Sequence, residues 1–197
     1  MSPRAARVSV VLVLVLVSNA CAQSRPEPPP RHERDGGVAI DQEVMAYLSM
    51  ARARHHEANL KEEGDAPGAI AALEELTRAP RPHPGQSVPE VEEVLADTFA
   101  RMAELEVAAG DLARASASVH DGMAHAPDPT YFRGHLLEVA GLTEEARAAT
   151  LRDAGEPAQA AAAKARALDL LHQAVVVQER VVAASLARGS GSEGGTR

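Results

Sequence analysis

Along most of the chain apolar residues recur at three- and four-residue spacings, and short runs of Gly, Pro and Asp interrupt them. That period belongs to amphipathic helices rather than strands. A first helix is expected from an Asp41 cap to about Glu62, with Val44, Tyr47, Leu48, Ala51 and Ala58 on one stripe and His55 among them. Gly64-Asp65 breaks the chain, Asp65 caps a second helix, and Ala69, Ile70, Leu73 and Leu76 give it an apolar face. No helix persists through Ala79–Gly85, which holds three prolines. Ser87-Val88-Pro89-Glu90 then reads as a capping box that opens a third helix carrying Val91, Val94, Leu95, Phe99, Met102 and Leu105 to Ala109. Asp111 opens a fourth helix to His125, and Pro127 ends it.

Asp128-Pro129 leads into a fifth helix through Tyr131, Phe132, Leu136 and Leu137 to Gly141, after which Thr143 caps a further run. An alternative register puts the turn at Gly155 and lengthens both helices. The first register is preferred, because Gly134, Gly141 and Ala146 then fall at small positions. From Ala158 to about Ala187 nothing breaks the chain, and Leu168, Leu171, Val175, Val182 and Leu186 share a stripe. A long amphipathic helix of this kind covers the last core face of a helical stack.

The stretch with the most defined spacing is Phe99-x2-Met102-Ala103, then Gly110-Asp111, Ala115-x3-Val119 and Pro127. It resembles a tetratricopeptide repeat (TPR), with Phe99 at the Trp position, Met102-Ala103 at Leu-Gly, Ala115 and Val119 at the second-helix Ala and aromatic, and Pro127 at the closing Pro. Glu106 stands where that pattern has Tyr. Gly64-Asp65 with Ala69 and Leu73 repeats Gly110-Asp111 with Ala115 and Val119. The two glycines are 46 residues apart, against about 34 for the family, and an insertion at Ala79–Gly85 accounts for the difference.

The resemblance implies an all-α fold, a short TPR-like α-solenoid of antiparallel helix pairs with a long C-terminal capping helix. It also implies a concave groove lined by the first helix of each pair, where Asp97, Arg101, Glu104 and Ala108 would face a partner. Asp97 and Arg101 equally form an i, i+4 surface salt bridge. The implied function is a non-catalytic protein–protein interaction scaffold that binds a protein or peptide; the acidic bias of the groove, with one embedded Arg, suggests a segment carrying mostly Lys or Arg. The alternative is a structural or assembly lipoprotein that oligomerises or packs into a larger envelope complex.

Arg4 and Arg7 precede the apolar run Val8–Val17, and Ser18-Asn19-Ala20-Cys21 follows it. A basic start, an apolar centre and small residues make a secretory signal peptide. As a helix the run rises about 15 Å, half the hydrocarbon thickness, so a permanent span is disfavoured. Cys21, the single cysteine, resembles the lipobox cysteine of bacterial lipoproteins, which implies lipidation with acyl chains such as palmitate. With Ala22 following, it also implies an outer-membrane lipoprotein facing the periplasm. Ala20-Cys21-Ala22 reads equally as an A-x-A cleavage site for a soluble secreted or periplasmic protein. The expected layout is therefore a signal peptide over 1–20, a Pro-rich tether over 21–38, the helical domain over 39–188 and a disordered tail over 189–197.

With two Phe, two Tyr and no Trp, the interior must be built from Ala, Leu and Val, which favours helix against helix. Without Arg4 and Arg7, 18 basic residues meet 28 acidic ones, a net charge of −10 that repels a phosphate backbone and excludes nucleic acid. No cofactor loop, nucleophile elbow, haem site or zinc motif is present, and no enzyme is expected. Neighbouring residues on a helix diverge by about 100°. His55-His56-Glu57 therefore offers no metal site, and His55 is read as a core or groove histidine. For the same reason Glu62-Glu63, Glu74-Glu75, Glu92-Glu93 and Glu144-Glu145 read as solvated faces. His120 and His125 straddle faces.

Overall fold

The computed structural model describes residues 40–191, which form six helices and, among the described residues, no strand. They are α1 (Gln42–Lys61), α2 (Ala66–Arg78), α3 (Pro89–Ala108), α4 (Leu112–His125), α5 (Tyr131–Asp153) and α6 (Pro157–Gly191). The protein is thus all-α. The expected signal peptide over 1–20, Cys21 and the expected Pro-rich tether lie outside the described residues. So do residues 192–197 of the expected tail, whose first residues instead prolong α6.

The helix starts follow side-chain acceptors. Asp41 accepts from the backbone N–H of Glu43 and Val44, Asp65 from Gly68, Asp111 from Arg114, and Thr130 from Arg133. Asp41 also bonds His83 Nε2 at 2.5 Å, which pins the proline-rich connector to the start of α1. The capping box expected at Ser87 does not form: the N-cap is Val88 and no side chain caps it. Glu90 is then one position too early for the reciprocal bond. Pro89 needs no acceptor, and Val88 is held by packing against the cluster of Tyr47, Leu76, Val91 and Leu95.

Neighbouring helices pair as α1 with α2, α3 with α4 and α5 with α6. The pairs join through α2 on α3 and α4 on α5, and through α1 on α3 and α3 on α5. Small residues occupy these contacts: Ala96, Ala100, Ala103, Ala115 and Ala126 share one buried cluster, and Ala58, Ala69 and Ala72 share another. Ala103 and Ala115 are both fully buried in the first of these clusters.

The fifth helix departs from the preferred register. It runs unbroken through Gly141 and Thr143, whose hydroxyl donates to the Val139 carbonyl at 2.8 Å instead of capping anything. The turn falls at Gly155, the alternative register. Gly155 has φ +78°, and its N–H and that of Glu156 bond the carbonyls of Arg152 and Leu151. Gly110, with φ +80°, closes α3 in the same way through Val107 and Glu106. Both are Schellman caps, which need the left-handed conformation that glycine adopts without penalty. The intervals Gly64–Gly110 and Gly110–Gly155 are 46 and 45 residues. An insertion confined to the first interval therefore does not explain the spacing; the long helices α3 and α5, of 20 and 23 residues, lengthen one interval each.

Gly141 is small because α6 crosses there. A Cβ at this position would lie 2.7 Å from Leu171 Cγ and 3.3 Å from the Ala167 carbonyl oxygen. The buried face of α6 is Ala160, Ala163, Ala167, Ala174 and Val177. The stripe expected to cover the core lies largely outside it: Leu168, Val175, Val182 and Leu186 are 51–70% exposed.

Gly141→Ala separates close packing from helix propensity. On an open helix face the change stabilises by about 1 kcal/mol; here overpacking of about 1–3 kcal/mol outweighs it. Thermal unfolding followed by circular dichroism should show a melting temperature several degrees lower. An unchanged or higher value contradicts the close α5–α6 crossing.

Candidate functional site

Because α1, α3 and α5 touch in succession, polar side chains from all three reach one another. Arg101 on α3 donates to Glu104 at 2.8 Å and pairs with Glu62 at the end of α1. Glu104 accepts from His135 Nε2 of α5 at 3.0 Å. Asp97 lies between two histidines, 3.8 Å from His135 Nδ1 and 4.0 Å from His55 Nδ1 of α1. The result is a chain of groups, Glu62–Arg101–Glu104–His135–Asp97–His55, across three helices. Tyr131, one turn before His135, adds an exposed ring 6.3 Å from the imidazole.

The two histidines differ in state. Asp97 and Glu104 hold the His135 imidazolium, raising its pKa from 6.5 to about 10 despite partial burial. Its Nδ1 is buried with no hydrogen-bond partner, so the attraction to Asp97 is through charge at 3.8 Å. His55 is pushed the other way, because burial disfavours its charged form. Its Nε2 lies 2.9 Å from the Thr98 hydroxyl, and that hydroxyl donates its proton to the Val94 carbonyl at 2.7 Å. His55 Nε2 is therefore the donor, and the Nδ1 lone pair faces Asp97. Glu104 is held below the ordinary carboxylate range by His135 and then Arg101.

The sequence placed Asp97, Arg101 and Glu104 on one face, and they share this network. The expected Asp97–Arg101 pair does not form, because Arg101 turns to Glu104 and Glu62 instead. Ala108 is exposed at the end of α3 and belongs to no contact of the network. His135 is not singled out by the sequence, although the expected helix through Tyr131 to Gly141 already places it one turn after Tyr131; only its contacts with α3 reveal it. The glutamate doublets are not plain solvated faces either. Glu74 takes Arg114 of α4, Glu75 takes Arg54 of α1, Glu92 takes His125 of α4, and Glu144 takes Arg166 of α6. In each doublet one or both carboxylates tie a second helix.

Two other polar groupings are structural. Glu106, 1% exposed, accepts from the Ser118 hydroxyl at 2.7 Å and is ion-paired with Arg114 at 3.2 Å, which joins α3 to α4 where the TPR pattern has Tyr. A cleft of about 330 Å³ lies between the start of α3 and the α4–α5 connection. Three of its polar groups are committed within the fold: His125 bonds Glu92 at 2.6 Å and stacks on Phe99, and Thr130 caps α5. Among the described residues no group of three His, Cys, Asp or Glu is arranged to hold a metal, and no helix is long and apolar enough to cross a membrane.

Among protein-family models, curated proteins and solved structures, none matches this chain.

The raised pKa of His135 fixes a pH dependence. Its stabilising contribution is complete below pH 6.5 and disappears as pH rises through about 10. The melting-temperature difference between wild type and His135→Gln should therefore shrink steadily over that window. A difference already lost by about pH 7.5, one unit above an ordinary histidine pKa, contradicts the paired imidazolium.

Proposed function

We propose that the helical domain is a short TPR-like α-solenoid acting as a non-catalytic protein–protein interaction scaffold. It is TPR-like in the succession of its helix pairs and not in its period. The face shared by α1, α3 and α5 is the partner groove in this reading. The supporting observation is Asp97: it sits centrally, 40% of its side chain is exposed, and neither of its histidine contacts is within hydrogen-bond distance. Every other carboxylate of the network already accepts a hydrogen bond. Asp97 therefore has acceptor capacity to offer a Lys, an Arg or a backbone N–H of an extended segment. Tyr131 supplies an apolar ring beside it.

The same reading keeps Cys21 as the lipid anchor of an outer-membrane protein that faces the periplasm, with residues 21–38 as tether. Two acyl signals make such anchoring stable. A structural or assembly role is the second reading, favoured by the exposed apolar stripe of α6.

Crosslinking in native membranes followed by mass spectrometry tests the scaffold. Glu104 is committed to Arg101 and His135, so Asp97→Asn is the cleaner probe: it should keep the helical circular dichroism and membrane location yet reduce capture about tenfold, the scale of one charge-assisted hydrogen bond. Cys21→Ser should move the protein to the soluble periplasm. Undiminished capture by Asp97→Asn removes the groove from the interaction, and a wild type that is already soluble with its first residue at Gln23 removes the anchor.

A further inference from the structure

Helix α6 carries more apolar surface than its own fold uses. It runs antiparallel to α5, since Gly141 lies against Ala167 and Leu171 while Gly134 lies against Ala174 and Val177. By that register the first residues of α5 come level with about residue 180, and α6 continues to Gly191. Every residue from Val182 to Arg188 is exposed. Only the inner edge of this segment is near the rest of the fold, where Val181, Ala184 and Arg188 line a pocket with Glu93 and residues 129–132.

About a third of a turn round from the buried alanines lies a second, continuous stripe. Leu168, His172, Val175, Glu179, Val182 and Leu186 follow one another at alternating spacings of four and three, and all six are exposed. This 3.5-residue period keeps a stripe in register with one facing helix. It spans about 27 Å. The core face of α6, made mainly of alanine, has a different angular position, so the fold itself does not account for the stripe.

We infer that this stripe is the interface with a second copy of the chain, the two α6 helices packing antiparallel. The argument rests on the two polar residues in the stripe. Neither His172 nor Glu179 makes an ion pair or side-chain hydrogen bond among the described residues. In a parallel dimer each would face its own like in an apolar seam. In an antiparallel dimer with Leu168 against Leu186 of the second copy, His172 comes one layer from Glu179 of the second copy. That offset is three residues, about 4.5 Å along the axis, and the two-fold produces the pair twice. The stripe is therefore complementary to itself, an imidazole N–H of each copy meeting a carboxylate of the other. A contact made by one helix from each copy is at the small end of specific interfaces, so the dissociation constant is on the order of micromolar.

Sedimentation equilibrium of the full chain at up to about 100 µM, well above a micromolar constant, tests this. The wild type should be dimeric. Val175→Glu with Val182→Glu changes only exposed positions, so it should leave the circular dichroism unchanged and shift the chain to monomer. His172→Glu should weaken association several-fold, and adding Glu179→His should restore it, because the pair is only reversed. In a Cys21→Ser background, a Leu168→Cys chain mixed with a Leu186→Cys chain should form the mixed disulfide in preference to either like pair. A wild-type monomer, a dimer indifferent to the Val175 and Val182 changes, a reversal that does not restore, or a preference for like pairs each overturns the antiparallel α6 dimer.

Discussion

Close approach of helix backbones is the constraint on which the rest of this structure depends. With two Phe, two Tyr and no Trp in the whole chain, large side chains cannot fill wide gaps between helices, so the gaps must be narrow. Alanine and glycine make them so. At Gly122 a Cβ would meet Leu136 of α5 and Phe99 of α3, which marks the point where three helices converge. At Gly141 and Gly134 the same holds between α5 and α6. Dispersion between well-packed neighbours falls off within a fraction of an ångström, so such crossings fix the helices firmly in place.

The polar network follows from that closeness. Once α1, α3 and α5 lie in contact, side chains of ordinary length bridge them, and six groups link Glu62 to His55. Exposed ion pairs of this kind contribute little each, commonly under about 1 kcal/mol. Their role is in the registration of helices and in leaving Asp97 with unused acceptor capacity. Glu106 differs, since a buried carboxylate is tolerable only with its partners in place. Ser118 and Arg114 supply them, and a substitution that removes either would leave charge in the interior.

Much of the fold was legible because its signals are local. Asp41, Asp65 and Asp111 each announce a helix start through chemistry within three residues, and the stripes of α1 to α4 point to the faces that are buried. The failures share one cause: a residue type with two possible uses. Gly141 reads as a turn or as a crossing, and only the presence of α6 against it decides. Leu168 and Val175 read as core, yet Ala167 and Ala174 beside them are the core, because α5 comes too close for larger side chains; Val182 and Leu186 lie past the start of α5. Paired glutamates read as solvent-facing until cross-helix arginines and histidines are placed. The Asp97–Arg101 pair loses to Glu62 and Glu104 through a contact between α1 and α3 that no spacing along α3 encodes. His135 acquires its role from the same tertiary arrangement.

The central claim is that three helices approach closely enough to hold one histidine charged and another neutral on a shared aspartate. Nitrogen-15 NMR of the imidazole rings at pH 8 tests it most directly. The account predicts His135 protonated on both nitrogens, consistent with a pKa near 10, and His55 neutral with its proton on Nε2. A His135 that is neutral at pH 8 and titrates near its ordinary 6.5 would mean that α3 and α5 do not present Asp97 and Glu104 to it, and the shared face would not exist as described.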